Sequence, residues 1–159
     1  MNKAIWLGCF FVMGCFPIAD TSDLPSIDDY ESWNRVDAIG PVGGHGNSFR
    51  KIYVNDIAQD YAGLGEYRVG STVVKEVRGI SEEDEPLDLR YLAVARKLNE
   101  APPGGTLENG WLFTYVKEAG TEEQNRTSCF GPCHLSAPFD HLFLDYGEVP
   151  FSGFGSDQE

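Results

Sequence analysis

This chain has few methionines, few positive charges and no paired metal ligands, and each shortage argues against a class of function. Its only methionines are Met1 and Met13, near the start of the 159 residues. Lys and Arg number 12 against 25 Asp and Glu, and the formal net charge is -13. Because a protein that neutralises phosphates needs a basic face, no nucleic acid is expected as a partner. The four cysteines include no Cys-x-x-Cys pair, which argues against a structural zinc site.

The chain also lacks an apolar run long enough to be a convincing membrane span. The run from Ala4 to Ala19 is interrupted by glycine and proline and follows Lys3, which is typical of an export signal. Near its end, Gly14-Cys15 resembles a bacterial lipobox, so we expect a lipid on Cys15 that tethers the domain. Ordinary signal cleavage near Ala19 is the alternative. Either form predicts export to the periplasm, and the lipid predicts an anchor in the outer membrane.

We divide the chain into four parts. Residues 1–19 are the signal, 20–28 a polar tether, 29–150 the folded domain and 151–159 a flexible acidic tail. With the signal removed, two cysteines remain for the domain if Cys15 carries a lipid or is lost.

Short β-rich runs dominate the domain. Stretches from Asp28 to Trp33 and from Asn55 to Ala62 predict helices, the second capped by Asn55. We therefore expect an α+β fold, an antiparallel sheet of about four to five strands with helices packed on it. Runs rich in Val, Ile, Tyr and Phe, bounded by turn residues, predict strands from Ser48 to Val54, Ser71 to Arg78, Arg90 to Lys97 and Trp111 to Lys117.

The most informative motif is Cys129-Phe130-Gly131-Pro132-Cys133-His134. Covalent c-type haem attachment uses C-x-x-C-H, in which two thiols bind the haem vinyl groups and the histidine binds the iron. Here three residues separate the cysteines, and the extra one lies in a Gly-Pro turn that can bulge. We predict haem c on Cys129 and Cys133 with His134 as axial ligand. A small disulfide and a metal site at these residues are the alternatives.

The sixth coordination position would decide what such an iron does. Electron-transfer cytochromes c commonly use methionine there, and the mature domain has none. His141, seven residues after His134, would lie on the same face of a helix, so we expect it to be a packed or surface histidine. His45, in a glycine-rich loop, is the other imidazole that can reach the pocket. The expectation is a five-coordinate iron with one open face.

Several segments together resemble the cytochrome P460 family over most of the mature chain. Phe49 to Asn55 resembles the family's first strand, and Val69 to Glu76 resembles its glycine-to-lysine strand. The closing segments are similar at Gly110-Trp111 and at Cys133-His134-x-x-Ala137-Pro138-x-Asp140.

The resemblance implies an antiparallel β-fold, usually a homodimer, with a five-coordinate haem c. In the family's enzymes a lysine is bonded to the haem macrocycle and the cofactor oxidises hydroxylamine. The related cytochromes c′-beta lack that bond and bind nitric oxide. Lys75 matches the cross-linking lysine and Arg50 a family arginine near the haem, whereas Glu100 is the nearest match in spacing to the acid of the pocket. An exposed or snorkelling Lys75 is the alternative.

Three functional readings follow from the sequence. One is an oxidoreductase that acts on hydroxylamine or a related small nitrogen species and passes electrons to a redox partner cytochrome. The second is a haem protein that binds nitric oxide without turnover. The third is a haem-free domain with a disulfide between Cys129 and Cys133.

Overall fold

The computed structural model describes residues 18–42, 45–61, 65–117 and 122–145, with the backbone alone at 41–42. Residues 1–17 of the predicted signal, including the predicted lipidation site Cys15, and the predicted acidic tail lie outside these residues. Within the described part, no helix is both long and apolar enough to cross a bilayer.

A single antiparallel sheet of seven strands forms the described domain. In space the strands follow the order β1-β2-β3-β4-β6-β5, and β7 pairs with β6. The strands are β1 (Asn34–Val42), β2 (Gly46–Val54), β3 (Thr72–Ile80), β4 (Pro86–Lys97), β5 (Leu107–Glu108), β6 (Trp111–Lys117) and β7 (Gln124–Asn125). The four predicted strands are confirmed as β2, β3, β4 and β6.

The predicted α+β class with packed helices is wrong. The described chain contains one α-helical turn, α1 (Asp56–Gln59), and three short 3-10 helices at Tyr30–Ser32, Thr127–Cys129 and His134–Ser136. Asn55 does cap α1, because its side chain accepts a hydrogen bond from the backbone N–H of Ala58. A single turn has too few hydrogen bonds to extend without an apolar face to bury, so it serves only as a connection.

The sequence did not predict β1 or the two-residue strands β5 and β7, and β1 is the longest of the three. Gly40 and Pro41 interrupt its pattern, but β1 lies at the edge of the sheet, where a missing N–H is tolerated. Its hairpin partner β2 fixes the register from Asn34 opposite Val54 to Val42 opposite Gly46. Pairing with a strongly β-forming neighbour therefore outweighs the local breakers.

Side chains alternate between the two faces of the sheet, and each face carries its own apolar cluster. Tyr53, Val74, Leu92, Val94 and Val116 form the core of one face, and residues from Ile27 to Trp33 cover it. The opposite face carries the larger cluster, which includes Ile52, Val73, Ala95, Trp111, Phe113, Phe130 and Leu142. This second face is the one that the Cys-Cys-His segment covers.

The first described residues pack on the domain. Ile18 forms a bridge with Gln124, and Ala19 is 3% exposed. The backbone N–H of Ala19 donates to the backbone carbonyl of Glu123 at 2.9 Å, and that of Asp20 donates to the backbone carbonyl of Pro103 at 2.8 Å. The fold thus begins no later than residue 18.

Candidate functional site

A cavity of about 280 Å³ lies between the sheet and the segment that follows β7. One wall is the larger-cluster face of the sheet, where most of the lining side chains of β1, β2, β3, β4 and β6 lie at alternate positions. The other wall is the C-terminal segment. The lining of the first wall includes Ala38, His45, Arg50, Ile52, Val73, Lys75, Ala93, Ala95 and Phe113, and that of the second includes Cys129, His134, Leu142 and Phe143.

The Cys-Cys-His segment folds as two 3-10 turns joined by a tight loop. The N–H of Leu135 donates to the carbonyl of Phe130 at 2.8 Å, which closes the loop around the inserted residue. Cys129 and His134 line the cavity, while Cys133 lies beside them without lining it. Both thiols are free and half-buried. Burial raises the pKa of the Cys129 thiol, against the opposing effect of nearby Arg126 and Lys75.

His134 is oriented as an axial ligand would be. Its Nδ1 lies 2.7 Å from the carbonyl oxygen of His141, so Nδ1–H donates there and Nε2 is left for a metal. Phe113 and Phe143 flank the ring, with centroids at 4.5 and 5.2 Å. Burial lowers the pKa of His134, which favours the neutral imidazole that binds metals.

The expectation that His134 and His141 share a helical face is wrong, although His141 is packed as predicted. The helix ends at Ser136, and positive φ angles of 43° at Asp140 and 68° at His141 turn the chain back. This turn brings the His141 carbonyl to the His134 ring. Nε2 of His141 lies 2.9 Å from the side-chain nitrogen of Asn109.

A buried ion pair fixes the same turn. Oδ2 of Asp140 accepts from Nζ of Lys97 at 2.8 Å and from the N–H of Tyr67 at 2.8 Å. Lys97 also donates to the carbonyl of Asn109 at 3.1 Å. We call Lys97, Asp140, Asn109 and Tyr67 the proximal clamp, because they hold the residue next to the carbonyl that orients His134.

The sheet wall of the cavity is cationic. Lys75 on β3 lies opposite Ile52 on β2 and Ala93 on β4, so its stem is among apolar side chains. Burial, together with the nearby charge of Arg50, lowers the pKa of Lys75 to about 8. Arg50 also lines the cavity and donates to the carbonyl of Gly40 at 3.3 Å; burial lowers its pKa.

His45 is the site residue whose importance the sequence did not establish. Its Nδ1 lies 2.7 Å from the hydroxyl of Tyr91, and its Nε2 lies 3.5 Å from Nζ of Lys75. Tyr91 lies opposite Val77 on the neighbouring strand and therefore shares the face of Lys75. Period-two alternation along the two strands would have placed Tyr91 beside Lys75, but nothing in the sequence brings the loop of His45 to them.

Glu100 lies elsewhere. It is exposed in the turn after β4, and the cavity has no acidic side chain among its described lining residues. Glu76, next to Lys75 in sequence, is on the opposite face, where it accepts from Tyr30 at 2.9 Å and from Arg78 at 2.6 Å. The structure thus brings Lys75, Arg50, Cys129 and His134 to one cavity and leaves Glu100 outside it.

The residues present fit a haem c. Two free thiols, an imidazole with Nε2 available and an apolar cavity are the groups that covalent haem needs. A conventional metal site fits less well. In the part of the chain that is described, no three side chains of His, Cys, Asp or Glu are grouped so as to hold an ion.

Comparison with protein families supports the same assignment. The family model for Cytochrome P460 matches residues 27–143, most of the chain and all of the described cavity except Leu144. No curated protein matches the chain.

Proposed function

Because the chain belongs to the cytochrome P460 family, whose members are haem proteins, we propose that it is an exported protein with covalent haem c and an open sixth coordination site, which oxidises hydroxylamine or a related small nitrogen species. The observation that carries the proposal is the meeting of Cys129, His134 and Lys75 at one apolar cavity. Cys133, which directly precedes the axial histidine, would supply the second thioether.

When bound, haem supplies an iron that can hold a small ligand and accept electrons from it. The protein supplies the rest. His134 would present Nε2 to the iron, because the His141 carbonyl holds Nδ1–H. The described residues offer no methionine, so no thioether from this part of the chain would compete with a small ligand for the iron.

Whether Lys75 is bonded to haem distinguishes the enzyme from the gas-binding protein. Its amine is partly neutral near pH 8, since burial lowers its pKa to about 8, and a neutral amine is the form that can bond to carbon. We propose that Nζ is bonded to a carbon of the haem macrocycle in place of one hydrogen, which would alter the electronics of the cofactor. Replacement of one N–H and one C–H bond by an N–C bond releases two electrons and two protons, so the cross-link would need a two-electron oxidant such as a peroxide, which is reduced to water. Electrons would then pass to a redox partner cytochrome, and the family resemblance suggests a homodimer.

Replacement of Lys75 tests this proposal. Lys75→Ala should abolish hydroxylamine oxidation with an artificial electron acceptor while haem attachment and nitric oxide binding persist. The matched control is Lys117→Ala, because Lys117 is an exposed lysine at the end of β6, and it should keep full turnover. His134→Ala should lose the proximal bond and change the absorption spectrum. Full turnover in Lys75→Ala would refute the role of Lys75.

The second candidate function is nitric oxide binding without turnover. It is favoured by the apolar lining from Ile52, Val73 and Phe113 and by the absence of a carboxylate among the described lining residues. An uncharged diatomic gas needs no proton acceptor. An ordinary c-type spectrum in the unmodified protein, with no hydroxylamine turnover, would favour this candidate.

We also propose that export ends in lipidation at Cys15, with anchoring to the outer membrane from the periplasmic side. The support is the packing of Ile18 and Ala19 on the domain, because cleavage near Ala19 would remove residues that belong to the fold. Mass spectrometry of the mature N-terminus decides between the two: a lipid-bearing Cys15 is expected, and an unmodified start at Asp20 would reject the anchor.

A further inference from the structure

Tyr91, His45 and Lys75 form a continuous chain of polar contacts on the sheet wall of the cavity. As an ammonium group, Lys75 has only protons to donate, so Nε2 of His45, at 3.5 Å, is the acceptor. Nδ1 of His45 therefore carries the proton and donates to the Tyr91 hydroxyl at 2.7 Å. This arrangement fixes the tautomer of His45 and directs the lone pair of Nε2 towards Lys75, so another donor can use it only when Lys75 does not donate to it.

The electrostatics of this chain couple His45 to Lys75. Burial, then the positive charge of Lys75, then His134 and Arg50 lower the pKa of His45 to about 4. His45 is therefore a neutral base at pH 7 whose proton uptake the neighbouring ammonium opposes. At 3.5 Å in a partly buried site, two positive charges repel each other strongly.

A proton that leaves an N–H or O–H ligand in this cavity needs an acceptor. No carboxylate is present among the described lining residues, and Nε2 of His134 would be committed to the iron. We propose that His45 is the proton acceptor of the cavity and that the charge on Lys75 controls it. A charged Lys75 prevents His45 from taking up a proton, and loss of that charge allows it.

The proton balance is simple. The proton moves from the ligand to Nε2 of His45, Nδ1–H stays hydrogen-bonded to Tyr91, and the hydroxyl oxygen stabilises the imidazolium. A Lys75 nitrogen bonded to a ring carbon carries no ammonium charge, so the cross-link would release His45 to act. The identity of the proton-giving ligand rests on the proposed function, whereas the coupling between the two side chains does not.

Other ionisable groups face this pair from every neighbouring element. Burial raises the pKa of Tyr91, and Tyr115 adds to that effect, so Tyr91 stays neutral. The remaining groups are Arg50 on β2, Arg90 on β4, Tyr115 on β6, and Cys129, Cys133 and His134 on the C-terminal segment. Lys75 is the charged side chain in contact with His45, and its replacement leaves both cysteines and His134 unchanged.

Histidine titration by NMR tests the coupling in the full haem-loaded chain, reduced and bound to carbon monoxide so that the iron is diamagnetic. Only three histidines are present, and His45→Gln assigns the signal. Lys75→Arg keeps the charge and should keep His45 neutral down to about pH 4. Lys75→Met removes the charge and should raise the midpoint, although burial still holds it below the usual value of His. Equal midpoints in the two variants would overturn the coupling.

The unmodified protein provides an internal check. Its His45 titration midpoint should equal that of Lys75→Arg if a peptide mass shows that Lys75 is free. It should equal that of Lys75→Met if Lys75 is bonded to haem.

The role of His45 as proton acceptor has its own readout, because His45→Gln should lower kcat for hydroxylamine at least about tenfold with little change in KM. Unchanged kcat would overturn that role. A protein without any turnover would refute the proposed function instead, and the titration would still decide the coupling.

Discussion

The proximal clamp should make Asp140→Asn far more destabilising than a surface substitution. The side chains of Lys97 and Asp140 are 8% and 5% exposed, and removal of one partner from such a pair leaves a buried charge alone. The cost of that is about 3 to 5 kcal/mol. We expect about 3 kcal/mol, the lower end, because Lys97 keeps the Asn109 carbonyl and lies 5.4 Å from the Trp111 ring centroid.

A double-mutant cycle separates the pair from its surroundings. Asp140→Asn still offers an oxygen to the Tyr67 N–H, and Lys97→Met keeps most of the apolar stem. The double variant should therefore lose less stability than Asp140→Asn alone, since no unpaired charge remains. Urea unfolding followed by tryptophan fluorescence gives the free energies. A cost below about 1 kcal/mol for Asp140→Asn, or strictly additive losses, would refute this reasoning.

The clamp also makes a prediction about the site. Asp140 directly precedes His141, so loss of the ion pair should loosen the carbonyl that accepts from His134. A weaker hydrogen bond makes the imidazole a weaker donor to iron. Asp140→Asn should therefore lower the iron–histidine stretching frequency in the resonance Raman spectrum of the reduced protein, and an unchanged frequency would show that the clamp does not act on His134.

Other changes give equally direct outcomes. Cys129→Ala should leave haem held by a single thioether, so haem staining after denaturing electrophoresis persists; complete loss of haem would contradict a second bond. In the Lys75→Arg background, the free energy of unfolding should fall as pH drops from 6.5 towards 4, because unfolded His45 binds a proton that the folded state, with its pKa lowered to about 4, does not. His45→Gln should lack this part of the pH dependence. Gly104→Ala should destabilise the domain by about 1 to 2 kcal/mol, because φ is +73° and an added Cβ would clash with the Ile18 carbonyl oxygen; a neutral effect in thermal unfolding would contradict that packing.

Local sequence signals predicted the parts of the fold that depend on local chemistry. Asn55 was identified as a cap because a side-chain oxygen before a helical turn has a backbone N–H to bind. Strands β2, β3, β4 and β6 were also predicted from a local signal, namely short runs of β-branched and aromatic residues bounded by turn residues. Strand β1 was missed because its Gly40 and Pro41 break the pattern, and only pairing with β2 makes it a strand. Helices were overpredicted because short polar segments satisfy capping rules without having an apolar face to bury.

The candidate site likewise contains residues that local sequence signals predicted and residues that they did not. Cys129, Cys133 and His134 are adjacent in sequence and were predicted from that adjacency, and the match of Lys75 to a family strand placed it at the cavity. The approach of His45 to Lys75 depends on how a turn between two strands is folded, which composition does not encode. Glu100 was chosen by spacing alone, and the turn after β4 carries it to solvent.

The mass of one tryptic peptide tests the central claim most directly, namely that one haem joins the C-terminal cysteines to Lys75. Trypsin cuts after Arg126, and no Lys or Arg follows, so residues 127–159 leave as one peptide with both cysteines. The predicted species is this peptide plus one haem plus residues 69–78, because a substituted Lys75 is not cleaved. A peptide of residues 127–159 that carries haem but not residues 69–78 would support attachment to the cysteines, refute the bond to Lys75 and favour the nitric oxide candidate. A haem-free peptide with Cys129 and Cys133 as thiols or as a disulfide would contradict the account.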